Sequence, residues 1–254
     1  MSNLSIVIGS YRMAPFVHLN ILQCRKVFGD VPILVSDDRS DESPSVQAVA
    51  EKLGCAYICP PSRRSHTSGD LQAFINGAAF AEQMGSEVVL KLSQRLIPLD
   101  GMDKLILPQF ENPETWFVLP GQPERKTFAR ASAVFFNKFT ALTDIVAWRP
   151  ERMTAGMIIQ KYKTQCSGAK QRSDQFIEVF WGTMTAGDYK EHSVYVHELA
   201  NPQLGKAKAF LRKAQSHEHE YANLAASHGI VGEFSTAEWA HIEKKGYLAL
   251  APQL

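Results

Sequence analysis

LSIVIGSYR at residues 4–12 and VPILVSDDRSDES at residues 31–43 decide how this chain is read. Each opens as a short apolar run rich in β-branched residues and closes on polar turn formers. That is the pattern of a strand buried on both faces that delivers a polar tip to a sheet edge. The two tips are Gly9-Ser10-Tyr11-Arg12 and Asp37-Asp38-Arg39-Ser40-Asp41. They lie about 25 residues apart, which leaves room for the crossover helix of a parallel strand–helix–strand unit. Open α/β sheets bind their ligands at the edge to which such tips point.

Working outward, Val17, Ile21, Cys24 and Phe28 recur at spacings of four and three, predicting the crossover helix over 14–28. Ser43-Pro44 opens a second helix through Leu53, with proline in the first turn, where its missing N–H costs nothing. CAYIC (55–59) predicts a third strand, stopped by Pro60-Pro61; a third helix spans 69–84 and a fourth strand, EVVLKLSQRL, spans 87–96. Strands alternating with helices imply an α/β chain with a central, mostly parallel sheet flanked by helices and joined by right-handed crossovers. SVYVHE (193–198), with His197 near its end, predicts a late strand, and 203–228 predicts one long polar helix or a pair of shorter ones.

Composition narrows the classes of function. At 254 residues and 45% hydrophobic content, the chain can bury about 70–75% of the surface its unfolded form exposes, enough for one α/β domain. A net charge of +1 argues against a nucleic-acid binder. No apolar stretch approaches the roughly 20 residues that cross a bilayer, and the N-terminus lacks the basic start and apolar region of a secretion signal. The expectation is a cytoplasmic protein. Cys24, Cys55, Cys59 and Cys166 form no Cys-x-x-Cys pair and read as reduced structural thiols.

The two strand tips resemble the start of a GT-A-type nucleotide-sugar glycosyltransferase of the family 2 kind. In that family the first strand ends in a Pro-Thr-Tyr-like turn, where this chain has Gly9-Ser10-Tyr11, and the second ends in Asp-Asp-x-Ser followed by Asp, as here at Asp37 to Asp41. The resemblance covers roughly the first hundred residues. It implies a single GT-A-like, Rossmann-like domain over 1–254, with a nucleotide-sugar-binding half (1–100), an acceptor and catalytic half (101–200) and a helical C-terminal region (201–254). It also implies a nucleotide-sugar donor, with a UDP-sugar favoured, and a carbohydrate or lipid-linked acceptor. Asp37 and Asp38 would receive the imide N–H of a uracil and the hydroxyls of a ribose; the competing reading is a turn in which these side chains bond the next backbone N–H groups. Tyr11 is a candidate to stack on the base or to cap the core, and Arg12 is a candidate phosphate contact.

The fourth strand departs from that family. Its members end this strand in Asp-x-Asp, which holds a divalent metal against the donor phosphates, whereas this chain has Ser93-Gln94-Arg95. Neither aspartate position supplies a carboxylate, so no cofactor is expected and Mg²⁺ or Mn²⁺ is disfavoured. Period-two alternation puts Lys91, Ser93 and Arg95 on one face. One reading has Lys91 and Arg95 replacing the metal on the diphosphate; the other pairs Lys91 with a carboxylate such as Asp70 or Glu87. The helix after residue 69 keeps Ala73 and Gly77 of the family's Ala-Arg-Asn-x-Gly and loses the arginine, leaving Arg63, Arg64 and His66 as a basic loop before it.

An inverting transferase needs a carboxylate to take the acceptor's proton. The resemblance points to Asp174, in Ser173-Asp174-Gln175-Phe176-Ile177-Glu178, with Glu178 one helical turn behind; capping of the helix by Ser173 or Asp174 is the alternative. His217 and His219, two apart on a helix, point about 200° apart and do not make a metal pair. Lys206, Lys208, Arg212 and Lys213 form a basic cluster that reads either as a solvated helix or as a contact with an anionic membrane surface.

Overall fold

A computed structural model describes residues 3–12, 14–63, 66–94, 98, 100–120, 145–165 and 191–196. They form strands β1 (Leu4–Ser10), β2 (Ile33–Asp37), β3 (Ala56–Ile58), β4 (Val88–Ser93), β5 (Phe117–Pro120), β6 (Ile145–Trp148) and β7 (Ser193–Val196). The helices are α1 (Ala14–Phe28), α2 (Ser43–Lys52), α3 (His66–Met84), α4 (Met102–Ile106) and α5 (Ala155–Gln165), with 3-10 turns at Leu107–Glu111 and Pro150–Arg152.

One seven-stranded sheet runs in the order β3-β2-β1-β4-β6-β5-β7. β1 pairs in parallel with both β2 and β4, β2 with β3, and β5 with β7. Among the described strands, only β6 runs against its neighbours, β4 and β5. The mostly parallel sheet flanked by helices is the fold class the sequence implied. The reversal at β6 is the departure, and helix–strand alternation carries no signal for it.

Alternation along the strands divides the core into two layers. Ile6, Ile8, Ile33, Val35, Leu90 and Leu92 pack with α1, α2 and α4 on one face; Val7, Leu34, Val89, Val146 and Trp148 pack with α3 and α5 on the other. Continuous apolar runs fit this arrangement because both faces of the inner strands are covered. α1 spans the residues predicted for it, and it is buried almost throughout, Phe16 and Leu19 included.

α3 sits unusually close to the sheet because small residues recur every fourth position at Gly69, Ala73, Gly77 and Ala81. A Cβ on Gly77 would lie 2.5 Å from Val7 Cγ1, and one on Gly69 would lie 2.5 Å from Asp38 Cγ. From the strand side, a Cβ on Gly9 would meet Ala73 Cβ at 3.3 Å. Gly9, Ala73 and Gly77, which sequence reasoning met as fragments of a family pattern, therefore have a packing role: they let the N-terminal end of α3 descend onto the tips of β1 and β2. Among the described residues, no helix is long and apolar enough to cross a membrane.

Candidate functional site

The tips of β1, β2 and β4 lie side by side at the carboxyl edge of the sheet, and backbone pairing extends past the strands. Asp38 N–H donates to Ser10 O at 2.9 Å, and Gln94 N–H donates to Gly9 O at 2.9 Å. Residues 10–12, 37–39 and 93–94 are thereby brought together as the sequence predicted.

Asp37 is buried, 3% exposed. Its Oδ1 accepts from Ser10 Oγ at 2.9 Å, and its Oδ2 accepts from both Ser43 Oγ and the Tyr57 hydroxyl, the latter at 3.0 Å. Three hydroxyls from β1, α2 and β3 thus converge on one carboxylate. These contacts give Asp37 a structural role at the tip, held by side-chain hydroxyls rather than by the backbone N–H groups of a simple turn. Burial and then the Asp37 charge push the Tyr57 hydroxyl well above its ordinary range, keeping it protonated as a donor. Ser43 and Tyr57 are the partners sequence reasoning missed. No local signal links a residue to partners six and twenty positions away.

Asp38 lies on the other side of the same tip, its carboxyl group against Gly69 in the second turn of α3. Asp38 is itself buried, 7% exposed.

At the tip of β4, Lys91 is completely buried and its Nζ lies 2.5 Å from Asp70 Oδ1 on α3. The ammonium also sits 5.1 Å from the centroid of the Phe74 ring, which packs at 5.5 Å on Trp148. Of the two readings of Lys91, the structure shows the carboxylate pair. The cation that would neutralise a diphosphate is engaged with Asp70 beneath the helix, because an unpaired charge at this depth is unsustainable. Gln94 is turned inward as well. Its Oε1 accepts from Tyr11 N–H at 2.7 Å and its Nε2 donates to Tyr11 O at 2.9 Å, so a side chain completes the ladder where β1 has left the sheet. Ser93 is buried, and its carbonyl accepts from Asn20 Nδ2 at 3.3 Å.

The β1 tip faces outward instead. Tyr11 and Arg12 are only partly buried, and Arg12 adopts φ 62°. Its Nε is 3.0 Å from Asp41 Oδ1, close enough for charge pairing although the N–H is not aimed along the line between them. Arg39 at the β2 tip is the other non-glycine residue with positive φ among the described residues, at 44°. Such conformations are sparsely populated and gather at functional sites. Two guanidinium groups approach the Tyr11 ring: Arg63, from the β3–α3 loop, at 4.3 Å from the centroid and Arg12 at 5.4 Å.

Ser93 supplies no carboxylate, both ends of the Gln94 amide are engaged with Tyr11, and no cluster of three His, Cys, Asp or Glu side chains suits a metal among the described residues. Arg95, Asp174, Glu178, His197, Arg64 and the 203–228 segment lie outside the described residues, as do the side chain of His66 and, within the proposed acceptor half, residues 121–144, 166–190 and 197–200.

No protein-family model matches the chain, and no curated protein is significantly similar to it. Similar solved structures include a cytidylyltransferase from Leptospira borgpetersenii, at 11% identity and a TM-score of 0.46 over 78% of this chain and 76% of that one. They also include glucosyl-3-phosphoglycerate synthase from Mycobacterium tuberculosis with Mn²⁺, UDP-glucose and phosphoglyceric acid, at 12% identity, TM-score 0.48, 77% of this chain and 70% of that one. A CMP:2-keto-3-deoxy-manno-octonic acid synthetase with CTP aligns at 11% identity, TM-score 0.44, over 82% and 99%. No residue role is carried from them to this chain.

Proposed function

We propose that this chain is a glycosyltransferase that moves a sugar from a nucleoside diphosphate sugar, a UDP-sugar by preference, to a hydroxyl of a glycan or lipid-linked acceptor. The observation that carries the reading is the juxtaposition at the sheet's carboxyl edge. A carboxylate at the amino end of α3 (Asp38) stands at a tip paired with the one that presents a half-exposed aromatic ring and a strained arginine (Tyr11 and Arg12). An acceptor-only carboxylate suits nucleoside N–H and O–H groups, the ring suits a base, and arginine suits phosphate.

Asp37 and Asp38 keep the nucleoside role between them, and Asp37 also holds the tip in shape. Arg12 faces the phosphates. Asp174 accepts the proton of the acceptor hydroxyl as its oxygen attacks the anomeric carbon. The bond from that carbon to the diphosphate oxygen breaks, and its electron pair leaves with the nucleoside diphosphate. No divalent ion is required at the β4 tip.

A second reading, a non-catalytic nucleotide-sugar or carbohydrate binder on the same scaffold, is favoured by one observation: Ser93 stands at the first aspartate position of the metal motif and supplies no carboxylate. Thermal-shift assays with uridine, guanosine, cytidine and thymidine diphosphates, each with Mn²⁺ and with EDTA, test the donor site. Stabilisation by one nucleotide that survives EDTA is the expected result. No shift with any nucleotide overturns the donor reading. Sugar release from the matching nucleotide sugar by wild type, lost in Asp174→Asn, separates the enzyme from the binder.

A further inference from the structure

We infer that Arg63, on the loop between β3 and α3, forms with Arg12 a two-arginine clamp for the donor's diphosphate. It supplies at the β1 tip the charge neutralisation that Lys91, paired with Asp70, does not provide. The inference rests on the donor site proposed above and adds to it the residue that holds the anion.

Three observations converge. Both guanidinium groups contact one ring, Arg63 at 4.3 Å and Arg12 at 5.4 Å from the Tyr11 centroid, so two cations from separate loops share one aromatic side chain. Tyr11 is a rigid anchor, because the Gln94 amide fixes its backbone N–H and carbonyl together. The charges are also unevenly compensated. Arg12 has Asp41 at 3.0 Å, whereas no carboxylate among the described residues pairs with Arg63, whose side chain is exposed. Two guanidinium groups at one ring concentrate positive charge there, and an anion between them is favoured by the planar fork of each. The positive φ of Arg12 fits a backbone held in a sparsely populated conformation to aim a ligand-binding side chain. A diphosphate spans two such groups, and an uncharged nucleoside gains nothing from them.

Isothermal titration in EDTA tests the clamp with UDP, uridine and inorganic diphosphate as probes. Arg63 is exposed, so Arg63→Ala folds normally. It is expected to weaken UDP binding about tenfold, the scale of one charge-assisted hydrogen bond, and to leave uridine binding within about twofold of wild type. Inorganic diphosphate should compete with UDP on wild type and lose that competition in Arg63→Ala. Arg63→Lys should restore only part of the affinity, because the ammonium lacks the fork and stacks less well. Unchanged UDP affinity in Arg63→Ala, or an equal loss for uridine, overturns the clamp while leaving the donor site standing. Wild type that binds neither UDP nor uridine overturns both.

Discussion

The tips of β4 and β1 are adjacent in the sheet and similar in polarity of sequence, yet they behave in opposite ways. At β4, Lys91, Ser93 and Gln94 are all buried, the lysine on Asp70 and the glutamine on the Tyr11 backbone. At β1, Tyr11 and Arg12 stay partly exposed beside a further arginine from the β3–α3 loop. The difference teaches that a polar residue at a strand tip has two fates. It satisfies its neighbours and fixes the tip, or it is held by those neighbours and faces outward. Position in a family pattern does not distinguish them, and burial with partner geometry does.

The strongest way to break this comparison is to unbalance the β4 tip. Lys91→Ala leaves Asp70 without its cation, and Asp70→Ala leaves an ammonium in the core; each should lower unfolding free energy by about 3 kcal/mol or more in urea denaturation. The double variant Lys91→Met/Asp70→Leu, which replaces the pair with apolar groups, should recover most of that loss. Single variants as stable as wild type would show that the pair is not structural.

Asp37→Ala should cost about 2–3 kcal/mol, since the Ser10, Ser43 and Tyr57 hydroxyls lose a common acceptor in a buried place. Gly77→Ala should cost about 1–3 kcal/mol, because the added methyl group runs into Val7 and lifts α3 away from the tips. An unchanged melting temperature for Gly77→Ala would mean that α3 has more freedom than its packing implies.

The smallest effect is one of pH. Tyr57 holds its proton more tightly folded than unfolded, so its contribution is intact below about pH 10, the ordinary tyrosine value, and is lost as pH rises further. Unfolding measured from pH 9 to 11 should show stability falling faster in wild type than in Tyr57→Phe, by at most about 1.4 kcal/mol per pH unit for the one proton. Parallel curves would contradict the assignment of Tyr57 as the protonated partner of Asp37.

Much of this architecture was legible in the sequence because burial on both faces writes itself as continuous apolar runs. β1, β2 and β4 appear where Ile6, Val35 and Leu90 stand in such runs, and α1 appears from Val17, Ile21, Cys24 and Phe28. The reversal of β6 was not legible, since strand direction depends on the connection before it rather than on IVAW itself. The site was legible as a location and only partly as an assignment of roles. Asp37 and Asp38 are equivalent in sequence, but the pleat turns one toward three hydroxyls and the other toward Gly69. Lys91 had Asp70 among its named partners, and only depth in the core decided between that partner and a phosphate. Gln94 drew notice only as the middle of a motif lacking its carboxylates, although its amide matches a backbone donor–acceptor pair in a way an aspartate could not.

Division of labour between the two tips is the central claim, and the most direct measurement is UDP affinity by isothermal titration in EDTA for Arg12→Ala beside Lys91→Met/Asp70→Leu. Arg12→Ala should lose about tenfold or more in affinity, while the double variant stays within about twofold of wild type. The opposite ordering, with affinity lost in the β4 double variant and kept in Arg12→Ala, would return the diphosphate to Lys91 and contradict the account.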